Sequence, residues 1–292
     1  MPNDDAPNLG TLYEKPQLTD SELVILINGE NSAHLRSVEK ITDRQAEILS
    51  HLRIVILPKV RELTDHQAEL LGQVRELMLG VTKVTDCQIM SLSNCHSVSF
   101  LELKEITADQ CRYLQNVPLL SFHRLTSISL AAATILGKSV VRLGLNGLSE
   151  IDPESIAALN ATPILFLSGL ETLSDAQAEG LGKRGESMLF LDGLQQLTER
   201  QTEMLSNCSD LSLVGLSSIT DRQAEFFGRC RWLALDGLTQ ISEQAASHLC
   251  TVKNLYLYGI EKLSDRQAQI LSKCETVRVG RGAEELLAKY KR

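Results

Sequence analysis

The chain has 292 residues, of which 43% are hydrophobic and 23% charged, and its formal net charge is −8 at pH 7. This composition is sufficient for a sizeable buried core. An acidic chain without a run of basic residues is repelled by the negative charge of nucleic acids and of anionic membrane surfaces, so we expect neither as a partner.

A repeated unit of about 22 residues, typical of a solenoid, covers most of the chain. Each unit aligns on a Ser or Thr anchor that follows an aliphatic residue; one variant unit has Asp instead. Because a single unit cannot bury its own apolar side, the units must stack. The anchors are Thr19, Thr42, Thr64, Thr85, Thr107, Ser129, Asp152, Ser174, Thr198, Thr220, Ser242 and Ser264.

The chain begins with a segment unlike the repeats. Residues 1–17 contain three prolines and no apolar run, so we predict a flexible lead there and an array of about 12 units over residues 18–280. The lead lacks the hydrophobic region of a secretory signal, and no stretch approaches the ~20 apolar residues of a membrane helix. We therefore expect a cytoplasmic protein.

The first half of each unit predicts a short strand. Two aliphatic residues stand nine and seven positions before the anchor, as Leu211 and Leu213 do, and their neighbours vary. This alternation is typical of a strand whose aliphatic side chains point inward. Gly often follows, as at Gly215, which indicates either a positive φ or a close approach of two backbones.

The second half of each unit predicts a short helix. Gln usually stands three residues after the anchor, as Gln223 follows Thr220, which is the pattern of a capping box. Apolar residues at plus four and plus seven, such as Ala224 and Phe227, form one helix face. Residues 281–292 place acids before bases, which predicts a helix that caps the C-terminal end of the array.

Strands that follow one another in the same sense pair in parallel and carry their helices on the other side. The sheet should line the concave side, because helices occupy more room than strands. The fold class that we predict is therefore α/β, a solenoid with a parallel sheet on its concave face and short helices on its convex face.

The recurring pattern LxLxGLxxITDxQAExLxxC resembles the leucine-rich repeat. It is most similar to the cysteine-containing subtype, although the unit is shorter and aliphatic residues (Leu216, Leu238 and Ile260) replace the expected Cys after the strand. The resemblance covers about residues 18–280. It implies a horseshoe-shaped protein-interaction scaffold that binds partners on its concave sheet.

Seven cysteines occur, and four of them lie ten residues after an anchor, where other units have Val. That exchange indicates small buried apolar groups. An odd number of cysteines without a CxxC motif predicts reduced thiols. The six histidines are scattered without metal-ligand spacing, so we expect neither a metal nor a cofactor.

The outward strand positions are the candidate binding surface. The only Trp, two of the five Tyr and two of the six Phe occur there, and exposed aromatic residues are typical of binding hot spots. Neighbouring rings would also cover one another, which is a purely structural alternative. The predicted partner-binding residues of the concave face are Phe166, Phe190, Trp232, Tyr256, Tyr258, Asp192, Asp236 and Arg142.

Three functions fit these observations. The first, which we predict, is a non-catalytic scaffold that binds a protein or peptide on its concave face. The second is a regulatory or spacer region of a larger protein that binds through its helices or its less regular first half. The third is a saccharide-acting enzyme, because Asp192 and Asp236 would lie about 9–10 Å apart on one face, a separation that inverting glycosidases use. The sequence indicates no particular oligomeric state.

Overall fold

A computed structural model describes residues 9–291, which form two compact units divided after Gly144. Residues 1–8 of the predicted flexible lead lie outside the described residues. The rest of that segment includes a short helix, α1 (Leu9–Tyr13), in which Leu12 is buried.

The first unit alternates helices and strands. Within residues 9–144, six strands pair in parallel in chain order, each with the next. Its elements after α1 are α2 (Asp20–Leu26), β1 (Ser32–His34), α3 (Asp43–Ser50), β2 (Ile54–Leu57), α4 (Asp65–Leu71), β3 (Glu76–Leu79), α5 (Asp86–Leu92), β4 (Ser97–Phe100), α6 (Ala108–Leu114), β5 (Leu119–Phe122), α7 (Leu130–Ser139) and β6 (Arg142–Gly144).

The second unit repeats the same alternation. Within residues 145–291, six further strands pair in parallel in chain order. The elements are α8 (Pro153–Leu159), β7 (Ile164–Phe166), α9 (Asp175–Gly182), β8 (Met188–Phe190), α10 (Glu199–Leu205), β9 (Asp210–Ser212), α11 (Asp221–Phe227), β10 (Trp232–Ala234), α12 (Glu243–Leu249), β11 (Asn254–Leu257), α13 (Asp265–Leu271), β12 (Thr276–Val279) and α14 (Arg281–Tyr290).

The paired aliphatic residues of the strands form the core. Leu211, Leu233 and Leu255 are register partners on β9, β10 and β11, and all three are fully buried. Burying a leucine side chain contributes about 2 kcal/mol, and each repeat obtains that burial only from its neighbours. This is the physical reason why the units occur as a stack.

Each capping box that contains Gln also joins two repeats. Gln223 Oε1 accepts a hydrogen bond from the Thr220 backbone N–H at 2.8 Å, while Gln223 Nε2 donates to the Leu197 carbonyl of the preceding repeat at 2.7 Å. A glutamate would make the first bond but has no hydrogen for the second. The same cross-repeat bond is donated by Gln45, Gln67, Gln88, Gln110, Gln177, Gln201 and Gln267.

The glycines after the strands are explained by close packing of backbones. Within residues 9–291, only Gly29 and Gly185 have a positive φ. A Cβ atom on Gly215 would lie 2.4 Å from the carbonyl oxygen of Asp192 in the preceding repeat. Of the two alternatives that the sequence left open, the close approach is therefore the one that applies at Gly215.

The prediction of reduced thiols is wrong for two of the cysteines. Cys250 and Cys274 form a disulfide, with their Cα atoms 4.7 Å apart. Cys250 is the C-cap residue that follows α12, and Cys274 occupies the core position after α13, so stacking of adjacent repeats brings together two residues separated by 24 positions. Cys87 is free and exposed. The other free cysteines are buried: Cys95, Cys208 and Cys230, as predicted from their position ten residues after an anchor, and also Cys111.

The C-terminal helix lies within the predicted segment 281–292. Ala283 and Leu287 of α14 are buried, and Glu261 accepts a hydrogen bond from the Gly282 N–H at 2.7 Å. No helix within residues 9–291 has both the length and the apolar character needed to cross a bilayer.

Candidate functional site

The sheet of the second unit has one face buried under helices and the other directed to solvent. Because side chains alternate along a strand, the residues beside the buried leucines share the solvent face. Tyr258 is 49% exposed, and the other four predicted aromatic residues are half-buried. We call these five residues the aromatic stripe: Phe166, Phe190, Trp232, Tyr256 and Tyr258.

The aromatic stripe is continuous from β7 to β11. Phe166 and Phe190 stack with their ring centroids 4.1 Å apart, and the Phe190 and Trp232 centroids are 6.3 Å apart. The centroids of Trp232 and Tyr256 are 5.2 Å apart, and those of Tyr256 and Tyr258 are 6.0 Å apart. These separations are in the range of favourable aromatic pairs, so each ring is positioned by its neighbours.

Two small residues lie beneath the stripe. Ser212 and Ala234 belong to the solvent face by register, yet they are only 2% and 4% exposed. Phe190 and Trp232 flank β9, where their register partners are Ser212 and Asp210. Their backbones are therefore about 9.6 Å apart across the sheet and about 6.8 Å apart along the strands, whereas their ring centroids are only 6.3 Å apart. The two rings therefore lean towards each other across β9, and the low exposure of Ser212 and Ala234 indicates that this side of the sheet is partly covered.

The two predicted carboxylates accept hydrogen bonds from groups of the following repeats. Asp192 Oδ1 accepts hydrogen bonds from Ser212 Oγ at 2.5 Å and from the Val214 N–H at 3.2 Å. Asp236 Oδ1 accepts from the Tyr258 N–H at 2.9 Å. Each bond satisfies a donor where a strand leaves the sheet. This structural role was missed at the sequence level, although acids at the same position of alternate repeats were a signal for it.

Asn146 occupies the same position two repeats before Asp192. Its Oδ1 atom accepts a hydrogen bond from the Ser168 N–H at 3.1 Å. An uncharged amide therefore does in that repeat what the carboxylates do further along, which shows that the backbone bond does not depend on charge.

An ion pair beside the stripe was also not predicted from the sequence. Asp210 is 5% exposed and is the register partner of Trp232. Both of its oxygens accept hydrogen bonds from Arg231: Nε donates to Oδ1 at 3.0 Å, and Nη2 donates to Oδ2. These bonds raise the pKa of Arg231. Asp210 is thus neutralised within the fold, unlike the two carboxylates described above.

Arg142, the eighth predicted residue, lies on β6 of the first unit, where it is exposed and is the register partner of Leu119. The other seven predicted residues lie together on the sheet face of the second unit. Within residues 9–291, no group of three or more His, Cys, Asp or Glu side chains has the arrangement of a metal site.

A surface depression lies in the first unit, where strands turn into helices. Its volume is about 1090 Å³, and no aromatic residue lines it. Arg61 donates a hydrogen bond to the Gly80 carbonyl at 2.9 Å and is 3.5 Å from Glu102, which also pairs with Arg124 at 3.8 Å. The depression therefore has a polar lining in which Arg61 and Glu102 are paired, and its lack of aromatic residues favours the aromatic stripe as the candidate site.

Solved structures share this architecture at low sequence identity. An internalin from Listeria monocytogenes str. 4b F2365 is 12% identical over 97% of this chain and 92% of its own, with a TM-score of 0.50. A chain of the Rad7 and Elc1 complex in yeast is 16% identical over 93% of this chain and 81% of its own, with a TM-score of 0.51. No family model matches the chain, and no curated protein matches its sequence.

The fold class is therefore that of the leucine-rich repeat proteins: an α/β solenoid in which each repeat supplies one parallel strand and one short helix. The prediction of this fold from the repeat pattern is confirmed. Identities of this size establish a common fold and nothing more specific.

Proposed function

We propose that this protein is a non-catalytic interaction scaffold that binds a protein or peptide through the aromatic stripe. The observation that supports this proposal is the continuity of the five rings on a solvent-facing sheet, in a chain with only 4% aromatic residues. Rings that already hold one another in place lose little conformational entropy when a partner covers them. A rigid aromatic surface is the kind that dominates binding energy at interfaces.

The carboxylates favour binding over catalysis. A general acid needs an environment that raises its pKa, and a general base needs an oxygen free to reach a proton. Asp192 and Asp236 each use one oxygen for a backbone N–H, and each is only partly buried on an open face. We accordingly propose a structural and recognition role for both, and no hydrolysis of a saccharide.

The proposal is tested by affinity capture from an extract of the cells that make the protein. The test variants are Tyr258→Ala, which removes a half-exposed ring, and the double variant Trp232→Ala/Tyr256→Ala. Tyr113→Ala is the matched control, because Tyr113 is 40% exposed on helix α6 of the other unit. We expect the control to retain the proteins captured by the wild type and the double variant to lose them.

The aromatic site is refuted if the double variant captures the same proteins in the same amounts as the wild type. Circular dichroism shows whether each variant is folded. Should the double variant unfold, Tyr258→Ala still decides the question, because Tyr258 contacts the stripe through one ring pair only. Enzymatic turnover that is lost in Asp192→Asn and Asp236→Asn would instead support the catalytic alternative.

A further inference from the structure

The aromatic stripe has an acidic border with a regular spacing. Asp192 and Asp236 occupy the same strand-end position in repeats separated by one other repeat, and each uses Oδ1 for a backbone bond. Within residues 9–291, neither carboxylate takes part in an ion pair, and no residue donates a hydrogen bond to either Oδ2 atom. Two negative charges therefore remain available beside the rings.

The distance between these charges favours one peptide conformation. Two strand spacings separate Asp192 from Asp236 by about 9.6 Å. A polyproline II helix rises ~3.1 Å per residue with three residues per turn, so side chains three positions apart share one face and lie ~9.3 Å apart. In a β-strand, side chains on one face lie ~6.8 Å or ~13.6 Å apart, which matches the carboxylates poorly.

The rings lie where such a peptide would need them. Phe190 precedes Asp192 by two residues on the same face, and Tyr256 is the register partner of Ala234, which precedes Asp236 by two. The backbone positions of these two rings therefore lie about 6.8 Å along the strands from the acids, while Trp232, four residues before Asp236, lies about 13.6 Å away, with its ring centroid 5.2 Å from that of Tyr256. Proline-rich segments dock in aromatic-lined grooves, and their preformed conformation reduces the entropy lost on binding. A basic side chain of the peptide would add binding energy by pairing with the carboxylates and by contacting the faces of the rings.

We propose that the aromatic stripe binds a proline-rich segment in the polyproline II conformation, with Lys or Arg at positions i and i+3. The prolines pack on Phe190, Trp232 and Tyr256, and the two basic side chains pair with Oδ2 of Asp192 and of Asp236. This inference depends on the proposed function, because it names the chemistry of the partner for the same surface.

The test is a titration followed by the fluorescence of Trp232, the only Trp in the chain. The probe is the capped peptide Arg-Pro-Pro-Arg-Pro-Pro. One control is its isomer Arg-Arg-Pro-Pro-Pro-Pro, which has the same charge and composition with the basic residues adjacent. A second control, Arg-Gly-Gly-Arg-Gly-Gly, retains the spacing but lacks the preformed conformation.

We expect the probe to bind at least ten-fold more tightly than either control. The variant Asp192→Asn/Asp236→Asn retains the acceptors for the backbone N–H groups, so it should remain folded and lose at least ten-fold in affinity for the probe. Tyr113→Ala should bind as the wild type does. Higher salt should weaken the binding, because the charges lie at the surface.

Equal binding of the probe and its isomer, or no fluorescence change with any peptide, would overturn this inference. If the aromatic variants nevertheless lose their natural partner in the capture experiment, the proposed function stands and only the chemistry of the partner is wrong. If capture does not depend on the aromatic residues, the proposed function fails first, whatever the peptides do.

Discussion

Replacing Gln223 by Glu tests whether the capping glutamines hold adjacent repeats together. Gln223 is 6% exposed, and its Nε2 donates to the Leu197 carbonyl at 2.7 Å and to Thr202 Oγ1 at 3.2 Å. A carboxylate retains the bond from the Thr220 N–H but loses both donated bonds. Each lost bond costs about 1 kcal/mol, and a buried carbonyl left without a donor costs about 1–3 kcal/mol.

We therefore expect Gln223→Glu to lower the free energy of unfolding by about 3 kcal/mol at pH 7. The measurement is urea unfolding, with the slope of the transition compared between proteins, since repeat arrays can lose cooperativity. The matched control is Gln269→Glu, the same exchange at an exposed position of α13, which should change stability by less than about 0.5 kcal/mol.

The destabilisation should also depend on pH with a defined sign. Burial raises the folded-state pKa of the introduced carboxyl group above its unfolded value of about 4.3. The protonated group has an O–H that can donate to the Leu197 carbonyl. The difference in the free energy of unfolding between the wild type and Gln223→Glu should therefore be largest at neutral pH and should decrease as the pH falls through the folded-state pKa. A loss no greater than that of the Gln269 control would refute the proposed cross-repeat role.

Two further predictions concern the strand ends and the cysteines. The free energy of unfolding of Asp236→Asn, measured in urea, should lie within about 0.5 kcal/mol of the wild-type value, because the amide oxygen still accepts the hydrogen bond from the Tyr258 N–H. That of Asp236→Ala should be lower than the wild-type value by about 1 kcal/mol. Equal effects of the two substitutions would contradict the structural role of Asp236. Cys250→Ser should lower the free energy of unfolding by about 3 kcal/mol, because it removes the disulfide to Cys274, which lies 24 residues further along the chain. Alkylation of the folded protein at pH 8, followed by mass spectrometry, should modify Cys87 and spare the four buried free thiols. The reason is that burial raises the pKa values of these four thiols to about 11 or 12. Rapid modification of all five free thiols would contradict this burial.

The solenoid could be predicted because its signals are local. The spacing of Leu211 and Leu213 specifies a strand with one apolar side, and Thr220 with Gln223 specifies the start of a helix, all within 13 residues of chain. Repetition of that pattern implied the stacking direction as well. The same alternation placed Trp232 on the solvent face of its strand, without any knowledge of its neighbours.

The contacts between repeats could not be predicted in this way. Which atoms meet across two repeats depends on the register between strands and on side-chain rotamers, and neither has a local pattern in the chain. The disulfide between Cys250 and Cys274 is one example, and the pairing of Asp210 with Arg231 is another.

The sequence by itself determined the repeat length, the alternation of strand and helix, and the set of aromatic residues that share a sheet face, since each follows from periods of two and of about 22 residues. The tertiary structure alone decided that five rings join into one stripe over Ser212 and Ala234. It also decided that Asp192 and Asp236 each accept a hydrogen bond from a backbone N–H of the following repeat through Oδ1. Apart from the pair of Tyr256 and Tyr258, these contacts join residues about 22 or more positions apart in the chain, which only the stacking of the repeats brings together.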